Sequence, residues 1–220
     1  MSYLEVLCKL FFIIIKLYSN ILHRGVITMI NKKYLTLLIF FSMVGLCSGS
    51  FFEVFMEGAG KNQLIEILSS FFNEDKTQGF HFFLISSIKP IFLLWCFFFL
   101  CPIIPPLALL GPLICVLRAF TVGFSATMII EAFGIKGCWY IIASIMPQGA
   151  IQLPVICLLA VISSNFALLM INFYLHKRNR KAQKNALHVN ARPYVLINLI
   201  CLGILVISCL FEAFLKQFLL

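Results

Sequence analysis

Charge is what this sequence has least of. Of its 220 residues only 11% are Asp, Glu, Lys or Arg, where a soluble domain carries about a quarter. Acidic residues are scarcer still, 8 against 17 Lys and Arg. So little charge excludes a sizeable soluble domain. The catalytic inventory is equally thin. The four histidines, His23, His81, His176 and His188, all lie outside the expected spans, and no span pairs two carboxylates for a proton relay. No G-x-S-x-G, H-E-x-x-H or phosphate-binding glycine loop is present. Hydrolysis needs a nucleophile with its base, or metal ligands, so catalysis by this chain is not expected, nor is a cofactor or a bound metal. The nine cysteines form no C-x-x-C pair and stand at no zinc spacing. Most fall in apolar runs, where cysteine behaves as a small hydrophobe.

What is there is hydrophobic: 62% of the chain, in long runs interrupted by clusters of basic residues. That composition reads as an all-α polytopic membrane protein with five crossings. The net charge of +9 is not a nucleic-acid signature, because the basic residues flank hydrophobic runs, where they set orientation. The crossings are expected near 34–55, 89–100, 113–133, 138–174 and 194–220. Lys32 and Lys33, and the tract from Lys177 to Lys184 with Arg192, put the N-terminus and the 176–192 loop on the cytoplasmic side. The C-terminus then lies outside. Residues 1–28 are either an amphipathic helix in the interface or an extension ahead of a start at Met29. Residues 29–220 form one transmembrane domain.

The connector at 57–87 is mildly acidic, and Leu64, Ile65, Leu68, Phe71 and Phe72 recur in it at helical spacing. It is either a docking surface outside the membrane or a solvated linker. At 102–112, Pro102, Pro105, Pro106, Gly111 and Pro112 crowd together and mark a turn or re-entrant segment. Gly45 and Gly49 stand four apart, the spacing that lets helix backbones approach, and Gly123 offers another small contact. Arg118 stands near the start of the third crossing, where it is expected to face a helix end, the cytoplasmic interface or a partner group. The readings are snorkelling to the interface or a pore, docking or site role.

Residues 137–177 are the most informative stretch. They are nearly uncharged and about twice as long as one crossing needs. Pro147 and Pro154 stand inside, with Gln148, Gly149 and Gln152 around them. Proline removes a backbone donor and clashes with the preceding turn, which predicts a helix broken at Pro147, Gln148 and Gly149. Gln148 and Gln152 are four apart and share a helical face, able to satisfy freed backbone groups. The break is either a binding or gating site or a packing kink. Ser208, Glu212 and Lys216 are also four apart on one face, and Glu212 and Lys216 are placed to pair at the outer interface.

The runs LLGPLICVLRAFTVGFSATMIIEAFGIKG (109–137) and IMPQGAIQLPVICLLAVISS (145–164) resemble the stage II sporulation protein M family. Its pattern is matched in order by Arg118 with Ala119, Gly123 with Phe124, Lys136 with Gly137, then Pro147, Gln148, Gly149 and Pro154. The resemblance covers 30–220. Many relatives outside the sporulation proteins carry His and Glu where Gln148 and Gln152 stand here, so the resemblance implies the neutral form, without a proton- or metal-linked role. The resemblance implies a non-enzymatic scaffold in the cell membrane of an endospore-forming bacterium. Its implied partners are stage II sporulation proteins D and P, the hydrolases that thin septal peptidoglycan during engulfment. Membrane lipid is a further contact, a homo-oligomer stays open, and nucleic acid is not expected. The competing class is a small transporter or channel, for which discontinuous helices are a known device.

Overall fold

The computed structural model describes residues 32–56, 58–75, 80–104, 107, 110–175 and 180–219. The expectations for 1–28, and for Pro105 and Pro106, lie outside these residues. The described residues form helices: α1 (Lys32–Phe55), α2 (Ala59–Asp75), α3 (Phe80–Leu100), α4 (Leu110–Phe133), α5 (Gly137–Tyr140), α6 (Leu153–Leu175) and α7 (Arg180–Leu219). Five stretches are long and apolar enough to cross a membrane: Lys33–Phe55, Phe80–Ile103, Leu110–Tyr140, Gln148–Ile171 and Ala191–Gln217. The protein is a multi-pass membrane protein, all-α as its composition implies.

α6 is the centre. Val155 to Ile162 are all buried, because this helix is surrounded rather than set on one face of the bundle. α1 and α4 run parallel beside it and touch through small residues. A Cβ on Gly45 would come within 2.7 Å of the Val116 carbonyl oxygen. One on Gly49 would fall on the Phe120 carbonyl, and one on Gly123 on the Leu46 carbonyl. Three glycines thus turn the α1–α4 contact into backbone against backbone, as small-residue spacing in membrane helices permits. α3 and α7 run antiparallel, with Trp95 Nε1 donating to the Asn198 carbonyl at 3.0 Å.

Prolines are answered by specific side chains. Pro102 has no N–H to offer the Phe98 carbonyl four residues back. The Ser163 and Tyr194 hydroxyls donate to that oxygen instead, at 2.7 and 3.2 Å. The end of α3 is thereby joined to α6 and α7. After them Cys101–Ile103 makes a single 3₁₀ turn, with Cys101 and Pro102 buried.

Three expectations change. The connector from 57 does not run to Ser87: α3 begins at Phe80, and Ser87 is buried inside it. Phenylalanines and Ile85 around Ser86 and Ser87 supply enough apolar surface to carry the helix through them. The basic tract beyond residue 179 is not a loop. Its backbone belongs to α7, a continuous helix of 40 residues. Good helix formers such as Ala, Lys, Gln and Leu fill 180–192, and Pro193 does not end the helix. Third, the break at Pro147 takes another form. The backbone stays in the right-handed helical region, with Pro147 at φ −62° and ψ −37°, and π-helical turns flank it at Ile141–Ile145 and Gln148–Gln152. A π turn is wider than an α turn, so it makes room for the proline ring without interrupting the coil.

Candidate intramembrane polar site

The widened turns direct Gln148 and Gln152 toward α7, where a polar face has the same four-residue spacing. Ser208 and Glu212 meet the stretch around Pro147, and Lys216 turns back on Glu212. The Ser208 hydroxyl donates to the Pro147 carbonyl at 3.4 Å, serving a backbone oxygen beside the proline. Glu212 receives four donors from three elements. Ser87 Oγ, Gln148 Nε2 and Lys216 Nζ reach its Oε1 at 3.2, 3.1 and 2.8 Å, and Gln152 Nε2 reaches Oε2 at 3.4 Å. Glu212 and Gln152 are each 1% exposed. A buried carboxylate needs a counter-charge and hydrogen bonds, and Glu212 has both.

The glutamines share a face as their spacing predicts. They donate to Glu212 rather than to freed backbone groups, a role the sequence reading did not assign. Gly149 is buried in the second π stretch. Pro154 follows directly on the second π turn, whose wider coil accommodates its ring and missing N–H. Gly45, Gly49 and Gly123 belong to the α1–α4 contact, away from Glu212. The reading of candidate site residues missed Glu212, Ser87 and Ser208. A signal for two of them was available, since a Ser-Glu-Lys series at four-residue spacing in an apolar span must find partners inside the bundle.

Arg118 is not at a helix end. Gly45 meets Val116 and Ala119, so Arg118 stands level with the middle of the α1 span, about 15 Å or more from either end at about 1.5 Å per residue. An arginine side chain does not bridge that distance to the interface. The guanidinium is half-buried and within charge reach of Glu212 and Cys209.

A second polar cluster pins α2. Lys61 Nζ lies 3.1 Å from Glu53 at the end of α1 and 2.7 Å from Glu131 near the end of α4. The hydrogen bond to Glu131 leads in holding the Lys61 ammonium above the ordinary lysine value of 10.5, with Glu53 adding to it. A raised lysine value means the contribution is complete below 10.5 and is lost only as pH climbs through the higher folded value. Amide protection of α2 is therefore expected to be unchanged by this group between neutral pH and about pH 10, and to fall in stronger alkali. Lys61→Met removes the contact at every pH, and hydrogen exchange along 59–75 should rise at neutral pH. Equal exchange in the variant and the parent would show that apolar contacts alone seat α2.

Among the described residues no group of three or more His, Cys, Asp or Glu side chains gathers as a metal site. The family model for stage II sporulation protein M matches residues 13–216, nearly the whole chain, beginning within the N-terminal segment. No curated protein and no solved structure matches.

Proposed function

This chain belongs to the stage II sporulation protein M family and is a sporulation-related membrane protein, and from that premise we propose that it is a non-enzymatic scaffold. It holds the septal peptidoglycan hydrolases, stage II sporulation proteins D and P, in the cell membrane while the mother cell engulfs the forespore. One observation carries the reading: the polar groups of the helix around Pro147 are turned on one another. Glu212 and Gln152 are 1% exposed, and their hydrogen bonds tie α3, α7 and the π-helical stretch together. A transport path presents its polar groups to water or cargo; a scaffold uses them to hold its own helices.

In this reading the basic end of α7 is cytoplasmic, and α2 lies outside, facing the septal wall. A cysteine placed at the exposed Asn62 is then labelled by a membrane-impermeant maleimide in intact cells. Labelling only after permeabilisation reverses the orientation. α2 is the outer docking surface. Replacing 59–75 by a neutral Gly-Ser linker should abolish co-purification of the two hydrolases, while insertion of the protein in the membrane persists. Deletion of the gene should arrest engulfment with an undissolved septum. Normal engulfment in the deletion strain would overturn the scaffold reading and favour the small transporter or channel.

A further inference from the structure

We infer that Arg118, Thr121 and Ser125 of α4 form an intramembrane docking strip, and that its occupant is a membrane-spanning helix of another protein bearing a carboxylate at mid-depth. The three residues fall at i, i+3 and i+7, along one face of a helix. Thr121 and Ser125 are exposed and Arg118 is half-buried. Near them on α4 stand Leu113 and Leu117, exposed as a lipid-facing surface should be. Two exposed hydroxyls, with a half-buried guanidinium at the edge of the same face that also looks toward Glu212, are out of place on such a surface.

Their hydrogen bonding sharpens the point. Hydroxyls in these spans usually close onto their own helix, as Ser42 does on Leu38, Ser48 on Gly45 and Thr127 on Gly123. Thr121 follows the rule through the Arg118 carbonyl at 2.8 Å. Ser125 Oγ and the Arg118 guanidinium have no hydrogen bond or ion pair among the described residues. Glu212 is near, but Lys216 holds it at 2.8 Å. The cluster of Arg118, Lys216 and Glu212 therefore keeps one positive charge in excess, and Arg118 carries it at the middle of the membrane. An ionised group there is costly and is found paired.

The chemistry of the missing partner follows. A carboxylate matches a guanidinium through two parallel hydrogen bonds, and Ser125 adds a further donor and acceptor on the same face. The described spans of a second copy do not supply that carboxylate. Among the described residues of its spans, Glu53 and Glu131 are held by Lys61, and Glu212 is buried. Lipid phosphates lie at the interface, a distance from Arg118 that its side chain does not bridge. The inference deepens the scaffold reading and rests on it only for the premise that a partner is held.

The test is a photo-cross-linking amino acid in place of Ser125, in the full chain, in membranes of the host during sporulation. The expected adduct is another membrane protein with an Asp or Glu inside a span. Arg118→Met should lower its yield about tenfold, equivalent to about 1.4 kcal/mol, while Arg118→Lys, which keeps the charge but not the two parallel hydrogen bonds, should fall between. Arg118→Glu combined with replacement of the partner's carboxylate by Lys should restore the yield, which separates pairing from misfolding. Adducts only with phospholipid, only with a second copy, or with a protein whose yield ignores Arg118 would overturn the strip. An Arg118-dependent adduct with a membrane protein, without co-purification of hydrolases, would keep the strip and remove the scaffold reading. Hydrolases retained by a protein that gives no Ser125 adduct would do the reverse.

Discussion

Gly123→Ala should be among the most damaging single methyl groups that can be added to this protein. The new Cβ falls on the Leu46 carbonyl oxygen, and its next neighbours, 3.0 and 3.2 Å away, are also backbone of α1. No side chain can move aside, so α1 and α4 must separate along their length. Overpacking of a core costs about 1–3 kcal/mol, and a contact between two backbones belongs at the upper end. Gly49→Ala should match it, because the obstacle is again backbone, at Phe120 and Phe124. Gly45→Ala should cost less, since the 2.7 Å approach to Val116 needs a smaller shift. Gly203 has nothing within 4 Å of its Cβ position, so Gly203→Ala is the control and should be neutral or stabilising. Thermal unfolding of the purified protein in detergent orders the four variants. Equal midpoints for Gly123→Ala and Gly203→Ala would mean that α1 and α4 are not in backbone contact.

The second large effect is expected at Glu212. Glu212→Leu removes the acceptor of four donors and leaves Lys216 without its counter-charge. Breaking a buried pair from one side costs about 3–5 kcal/mol, whereas replacing both partners by apolar groups is often close to neutral. Lys216→Leu added to Glu212→Leu should therefore recover part of the loss. The two amide donors, Gln148 and Gln152, keep the recovery incomplete. Glu212→Gln should fall between, because it retains an acceptor oxygen but brings an NH₂ group into a ring of donors. A double-mutant cycle on thermal unfolding measures the coupling. A double variant no better than Glu212→Leu would show that Lys216 does not carry the counter-charge.

Much of this arrangement is legible in the residues themselves. Long apolar runs place five crossings, because hydrocarbon admits only helices whose backbone groups are satisfied internally. Spacing alone pairs Gly45 with Gly49, Gln148 with Gln152, and Glu212 with Lys216. What spacing does not carry is the identity of the facing element. Spacing alone turns the glutamines toward their own freed backbone, yet α7 stands opposite. Pro147 announces a missing donor but does not say how the coil absorbs it, and two π turns do so without a break. Arg118 lies early in its hydrophobic run, which suggests shallow depth. Its true depth depends on how α4 is shifted along α1, and the glycine contacts set that shift. The basic tract reads as a loop by charge, while its Ala, Leu, Lys and Gln content suits the helix it forms.

The α1–α4 contact also has a consequence for biosynthesis. The Ser50 hydroxyl, which donates to the Gly123 carbonyl, is 73 residues upstream of its acceptor. At about 5–20 residues per second, the ribosome takes about 4 to 15 seconds to make the intervening chain. During that interval α1 is in the bilayer with its glycine notch facing lipid. Lys61, only eight residues beyond Glu53, can already close one end. The helix with the most exacting partner is the one that waits for it, and the order of synthesis leaves the notch open to any small-faced helix that arrives first.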